Sequence, residues 1–278
     1  MDAYPVGFEE IDQSRSDFIR MILLKQTNSR AFDSSPETSA TSIPKTLLQY
    51  WDDLRAVPDD VRICLDSWAR LRDEGFLLRL YCDESAREYI SERYGERESA
   101  AFGRCRHPAM RCDYFRMCFV LAEGGLYVDA DDVLLGDQWK MIFADGRLKV
   151  QPLCFDIPSR KMLPPSEIWR NDLSTRGRVF YVNNDPIAAP AGHPVLRRAL
   201  MRATERLLGT DRRPEIQSTT GPGNLTSALA AHANALVVAG RKFDFELLRN
   251  WDAIAETRWE LSYRGDERNW RNMEGALI

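Results

Sequence analysis

The stretch "MRCDYFRMCFVLAEGGLYVDADDVLL" (residues 110–135) limits the possible folds more than any other part of the chain. A long apolar run meets two adjacent glycines, then an apolar and acidic alternation ending in Asp129, Asp131 and Asp132. Pro108 suits a first helical turn and Gly124 a helix end, so a helix is predicted between them. "LYVDADD" then reads as a strand, whose period of two sends Tyr127, Asp129 and Asp131 one way and Leu126, Val128 and Ala130 the other. Carboxylates at the buried end of a core strand repel one another unless a cation or hydrogen-bonded ligand lies between them. All-oxygen ligands favour Mg²⁺ or Mn²⁺. A turn start is the plain alternative, because Asp is common there. Asp132 faces the opposite side if the strand continues, and is read as structural. Asp113 and Arg116 share one helix face, either as part of the same site or as an i,i+3 surface pair.

Around this segment, strand-like and helix-like stretches alternate as in a nucleotide-binding α/β sandwich. Strands are predicted at "KTLLQYW", "FLLRLYC", "LKVQPLCF", "FYVNNDPIAA" and "ALVVAG". Helices are predicted at "PDDVRICLDSWARLRDEG", "DESAREYISERYG", "PVLRRALMRATERLL" and "GNLTSALAAHANA". Residues 8–24 form an amphipathic helix, and the Ser/Thr-rich tract 26–42 reads as a linker, which makes the N-terminus an appendage. No internal repeat is visible.

Composition excludes several classes. A net charge of -4 and a pI near 5.6 argue against a nucleic-acid partner, which needs basic surface to displace counterions. The six cysteines show no zinc spacing and read as buried thiols. With no secretory leader and no run near the roughly 20 apolar residues that span a bilayer, the expectation is no transmembrane segment and a cytoplasmic location.

The segment "RCDYFRMCFVLAEGGLYVDADDVLL" resembles the sugar-binding region of DXD-motif glycosyltransferases, like glycosyltransferase family 32 and, more distantly, the glucosylating domains of large bacterial toxins. Fainter echoes follow in family order: "IPKTLLQYWDD", with Leu48 where the family often has His; "NNDPIAAPAGHP"; "TGPGNLT"; and "DERNWRN", with Asn269 where the family usually has Ser. The resemblance covers residues 43–270.

It implies a GT-A-like single nucleotide-sugar-binding domain at 43–278, with a mixed central sheet flanked by helices, behind an N-terminal helix and linker at 1–42. It also implies metal-dependent transfer of a hexose from a UDP- or GDP-sugar to an acceptor hydroxyl on a glycan, small molecule or protein, with retention. Asp129, Asp131 and Arg116 would be the catalytic group, with Mn²⁺ or Mg²⁺ held by Asp131 and Asp129 together with Glu267 and Asn269. The donor would meet Gln49, Trp51, Asp113, Arg116, Asp129, Asn183, Asn184, Gly221 and Trp270. For several of these the residues themselves leave a second reading. Trp51 stacks on a base or is a half-buried strand Trp. Asn183 and Asn184 reach the sugar or form a turn before Asp185 and Pro186. Gly221 starts an anion-binding helix terminus or a plain capped loop. Two rival functions are a nucleotide-sugar-binding module without turnover and an Asp-nucleophile phosphatase, although the latter expects its D-x-D on the first strand.

Overall fold

The computed structural model describes residues 4–28, 42–210 and 215–272. Its elements run α1 (Asp12–Asn28), β1 (Thr46–Tyr50), α2 (Asp59–Ser67), β2 (Leu77–Tyr81), α3 (Asp83–Arg93), α4 (Glu96–Gly103), α5 (Pro108–Glu123), β3 (Gly125–Tyr127), β4 (Asp132–Leu134), β5 (Leu148–Asp156) and β6 (Lys161–Met162). They continue with α6 (Pro165–Ile168), β7 (Arg178–Ala189), α7 (Pro194–Leu208), α8 (Ile216–Thr219), α9 (Pro222–Val238), β8 (Phe245–Leu247) and β9 (Ala255–Thr257). The central sheet has the order β2-β1-β3-β7-β5-β6, with β8 also on β5. Strands β2, β1 and β3 are mutually parallel, whereas β7 runs antiparallel to both β3 and β5. A separate ribbon pairs β4 with β9. The expected mixed central sheet flanked by helices is the architecture found.

The two glycines have a steric cause. Gly125 sits at φ +114°, and a Cβ there would lie 2.6 Å from the Thr46 carbonyl oxygen. Gly124, at φ +70°, would meet the Ala189 oxygen at 2.9 Å. Only residues without a side chain let the chain leave α5 and enter the sheet between β1 and β7 at this separation. Helix α5 itself is buried nearly all round, and its polar pair lies inside: Asp113 is 6% and Arg116 4% exposed. That removes the surface-pair reading.

Three expectations are corrected. The strand through the acids stops at Tyr127; Val128 N–H makes a last bond to the Leu48 carbonyl at 3.1 Å, residues 129–131 leave the ladder, and pairing resumes with β9 at Asp132. "ALVVAG" continues α9, since a short apolar run satisfies either period and here extends a helix already under way. The N-terminal helix is integral rather than an appendage. Phe18, Ile19, Ile22 and Leu23 are fully buried in the main core, and residues 26–28 prolong α1; the rest of the linker, 29–41, lies outside the described residues.

The need for α1 follows from the shortness of β3. Beyond it, the edge of β7 carries backbone groups that must be paired. The Ser16 hydroxyl accepts from Phe180 N–H at 2.8 Å and donates to the Arg178 carbonyl at 3.2 Å, while Thr226 Oγ1 accepts from Val182 N–H at 3.0 Å. At the other end of α1, the Gln26 amide bonds both the N–H and the C=O of Leu247.

Candidate active site

A cleft of about 1180 Å³ opens where β3 ends beside β7, roofed by the C-terminal residues 257–271. The β4–β9 ribbon brings that roof into place: Asp132 pairs with Thr257, and Arg258 N–H donates to the Asp131 carbonyl at 2.8 Å. Tyr263 and Arg264, far away in sequence, thereby arrive beside the acids.

Arg116 is the hub of the cleft floor. Its Nη1 donates to the Asn184 carbonyl at 2.8 Å, and its Nη2 lies 3.0 Å from Asp129 and 3.2 Å from Asp113. Its guanidinium carbon stands 4.0 Å from the centroid of the Tyr127 ring, a cation–π contact. Burial opposes its charge, but Asp129, Cys112, Tyr127 and Asp113 together keep Arg116 firmly protonated. Asp113 is also held by the Asn184 amide at 2.7 Å and the Thr220 hydroxyl at 3.3 Å. Burial nevertheless pushes its carboxyl up to about 6, against the pull of Arg116.

The acidic turn is crowded with carboxyl groups. Tyr127 Oη donates to Asp129 at 2.5 Å, and the Asp129 N–H donates to Asp185 at 3.0 Å, so Asp185 fixes the turn's backbone. Burial, then its acidic neighbours Asp132 and Asp129, raises Asp185 well above the usual carboxyl range. Asp132 is fully buried and pushed up to about 7, first by burial and then by Asp131 and Asp129. Asp131 is raised by burial and by Asp129, with Arg264 opposing. Tyr263 Oη donates to Asp131 at 2.7 Å, and Arg264 makes an ion pair with the same oxygen.

Most of the residues expected from the sequence line this cleft: Trp51, Asp113, Arg116, Asp129, Asp131, Asn183, Asn184, Asn269 and Trp270. Three do not. Gln49 is buried away from it, the Glu267 side chain is exposed outside it, and Gly221 lies behind it while Pro222 and Gly223 face in. A Cβ on Gly221 would come within 3.4 Å of Asp113, so the start of α9 faces a carboxylate of the protein itself. Neither asparagine forms a turn: both lie within β7, where the Asn183 side chain braces Asn184 N–H and the Asp185 carbonyl and Asn184 clamps Asp113. The Asn269 side chain is engaged within the roof, donating to the Arg264 carbonyl at 2.8 Å. Trp51 is 7% exposed, meets Tyr263 edge-on at 5.2 Å, and carries the Arg268 guanidinium 5.4 Å over its ring. Asp185, Tyr263 and Arg264 are not among the expected site residues, and the sequence places Tyr127 on the face of the acids without giving it a role. Asp185 carries a local signal as the acid of "NNDP", and Tyr127 one as part of the apolar and acidic alternation.

Among the described residues, no three His, Cys, Asp or Glu side chains come together as a metal cage. Mg²⁺-type ions are commonly held by one or two carboxylates, with substrate phosphates and water completing the shell. Asp129 and Asp131 fit that donor chemistry, provided Arg264 releases Asp131.

The fold is similar to that of a solved structure, "PaToxG Glycosyltransferase", with a TM-score of 0.50 and 14% sequence identity over 83% of this chain and 82% of that one. At that identity the likeness is one of fold. No protein-family model matches the chain, and the search of curated proteins gave no match. Among the described residues no helix is long and apolar enough to cross a membrane.

Proposed function

We propose that the cleft binds a nucleoside diphosphate sugar and transfers its sugar to an acceptor hydroxyl. The observation carrying this reading is the convergence of Asp129 and Asp131 on the mouth of a cleft whose wall holds Trp51 and whose floor holds Asp113 and Asn184. The fold likeness to a glycosyltransferase and the DXD resemblance of residues 111–135 support it.

Asp131, with Asp129, would hold Mn²⁺ or Mg²⁺, which when bound neutralises the departing diphosphate. The remaining work belongs to the chain. Asp113 accepts from sugar hydroxyls, while Arg116 favours the ionised form of Asp113 and aims both Asp113 and Asp129 through its ion pairs to them. Trp51 offers its ring to the base once Arg268 swings aside. The anomeric carbon–oxygen bond breaks with its electron pair going to the nucleoside diphosphate. The acceptor oxygen bonds to that carbon, and its proton passes to the leaving diphosphate. Retention of configuration, as the resemblance implies, is part of the proposal.

The test is release of UDP or GDP from a panel of UDP- and GDP-hexoses with Mn²⁺, comparing the parent with Asp131→Asn. Loss of at least 100-fold in the variant is expected. A chain that cleaves none of the donors, or a variant as active as the parent, overturns the reading.

A further inference from the structure

The far half of the cleft has a chemistry unlike that of the acidic half. Along β5 the residues Gln151, Leu153 and Phe155 alternate with buried neighbours, and along β7 Val179, Tyr181 and Asn183 do the same. The register sets Leu153 opposite Tyr181 and Phe155 opposite Val179 and Met162. These six positions and Met162 therefore share one sheet face, the side opposite Phe180, Val182 and Cys154, which pack into the core. Leu153, Phe155, Val179 and Tyr181 belong to no buried cluster, all line the cleft, and Met162 is 44% exposed. Trp259 and Trp270 line the same cleft from the roof.

Four residue steps along β5 make this strip about 13 Å long, and three strands make it about 10 Å wide. It is continuous with the acids: Asn183 follows Tyr181 on the same face and leads to Asn184, which holds Asp113. The strip's own hydrogen-bonding groups are Gln151, the Tyr181 hydroxyl and Asn183, whose amide is already engaged by Asp185 and Asn184, while Arg160 and Arg271 line the same cleft. A glycan chain laid on it would bury hydroxyls without partners, which costs free energy for each. An alkyl or aryl body would instead exchange water for apolar contact.

We infer that this strip is the acceptor subsite and that it takes an amphiphile, a molecule with its reactive hydroxyl at one end of an alkyl or aryl body about 10–13 Å long. The assignment as acceptor subsite rests on the transfer proposed above; the binding of an apolar body does not.

The probes are methyl and octyl β-D-glucopyranoside, the latter below its micelle concentration, and maltotriose, each titrated calorimetrically into the full chain without donor. Burial of each methylene is worth about fourfold in affinity, so octyl glucoside should bind at least about tenfold tighter than methyl glucoside. Phe155→Ser and, separately, Leu153→Ser should each remove most of that preference, with circular dichroism and melting curves checking that both fold. The inference is overturned if the two glucosides bind alike, if maltotriose binds tighter than octyl glucoside, or if both folded variants keep the full preference. A parallel titration with UDP and GDP in Mn²⁺ separates the two readings. Nucleotide binding with no alkyl preference removes the strip and leaves the transfer standing, whereas alkyl preference with no nucleotide binding does the reverse.

Discussion

Asp113 is placed where function and stability pull apart. Its folded-state value of about 6 stands above the ordinary 3.8, chiefly through burial. A proton therefore binds the folded chain more tightly than the unfolded one. The contribution is fully present below pH 3.8 and is lost as pH rises through 6. At 1.36 kcal/mol per unit, keeping this carboxylate ionised costs about 3 kcal/mol at pH 8 and about half that at pH 5. Asp113→Asn removes the ionisation cost but sacrifices one acceptor among the bonds to Asn184, Thr220 and Arg116, about 1 kcal/mol. The variant should be more stable than the parent by about 2 kcal/mol at pH 8, and most of that advantage should be gone at pH 5. Urea unfolding followed by circular dichroism at both pH values measures this. An equal difference at the two pH values, or a variant less stable at pH 8, refutes the reasoning.

Phe18→Ala should destabilise the whole chain by about 3–5 kcal/mol in one cooperative transition, because that ring is fully buried in the main core; a separate early melt of the N-terminus would contradict its integration. Gly125→Ala should cost about 3 kcal/mol or more, since its Cβ lands on the Thr46 carbonyl and its φ is positive. A mild loss in denaturant titration would mean the strands relax easily. Arg264→Ala frees Asp131 from its ion pair and should tighten Mn²⁺ binding about tenfold, read by electron paramagnetic resonance on the free protein. Unchanged affinity would show that the arginine does not compete for this carboxylate.

The sheet, the buried helix α5 and most of the cleft lining were legible because each has a local cause. Pro108, Gly124 and Gly125 punctuate the chain, and the apolar runs between them leave little choice of element. The acids were found for the same reason, but their pleat was not: strand alternation was assumed through Asp131, whereas the ladder stops at Tyr127 and a turn presents the carboxylates. The role of α1 was hidden because the demand it meets, unpaired edge groups on β7 around Phe180, arises only once β3 proves to be three residues long. Tyr263 and Arg264 could not be read from sequence at all. They reach Asp131 through the pairing of Asp132 with Thr257, a contact between segments more than 100 residues apart with no motif to mark it.

The most direct test of the site is calorimetric titration of UDP and of GDP into the parent and into Asp131→Asn, with and without Mn²⁺. One nucleotide should bind the parent in a Mn²⁺-dependent manner and lose at least tenfold in affinity in the variant. Failure of both nucleotides to bind the parent, or binding that the substitution leaves untouched, would contradict the account.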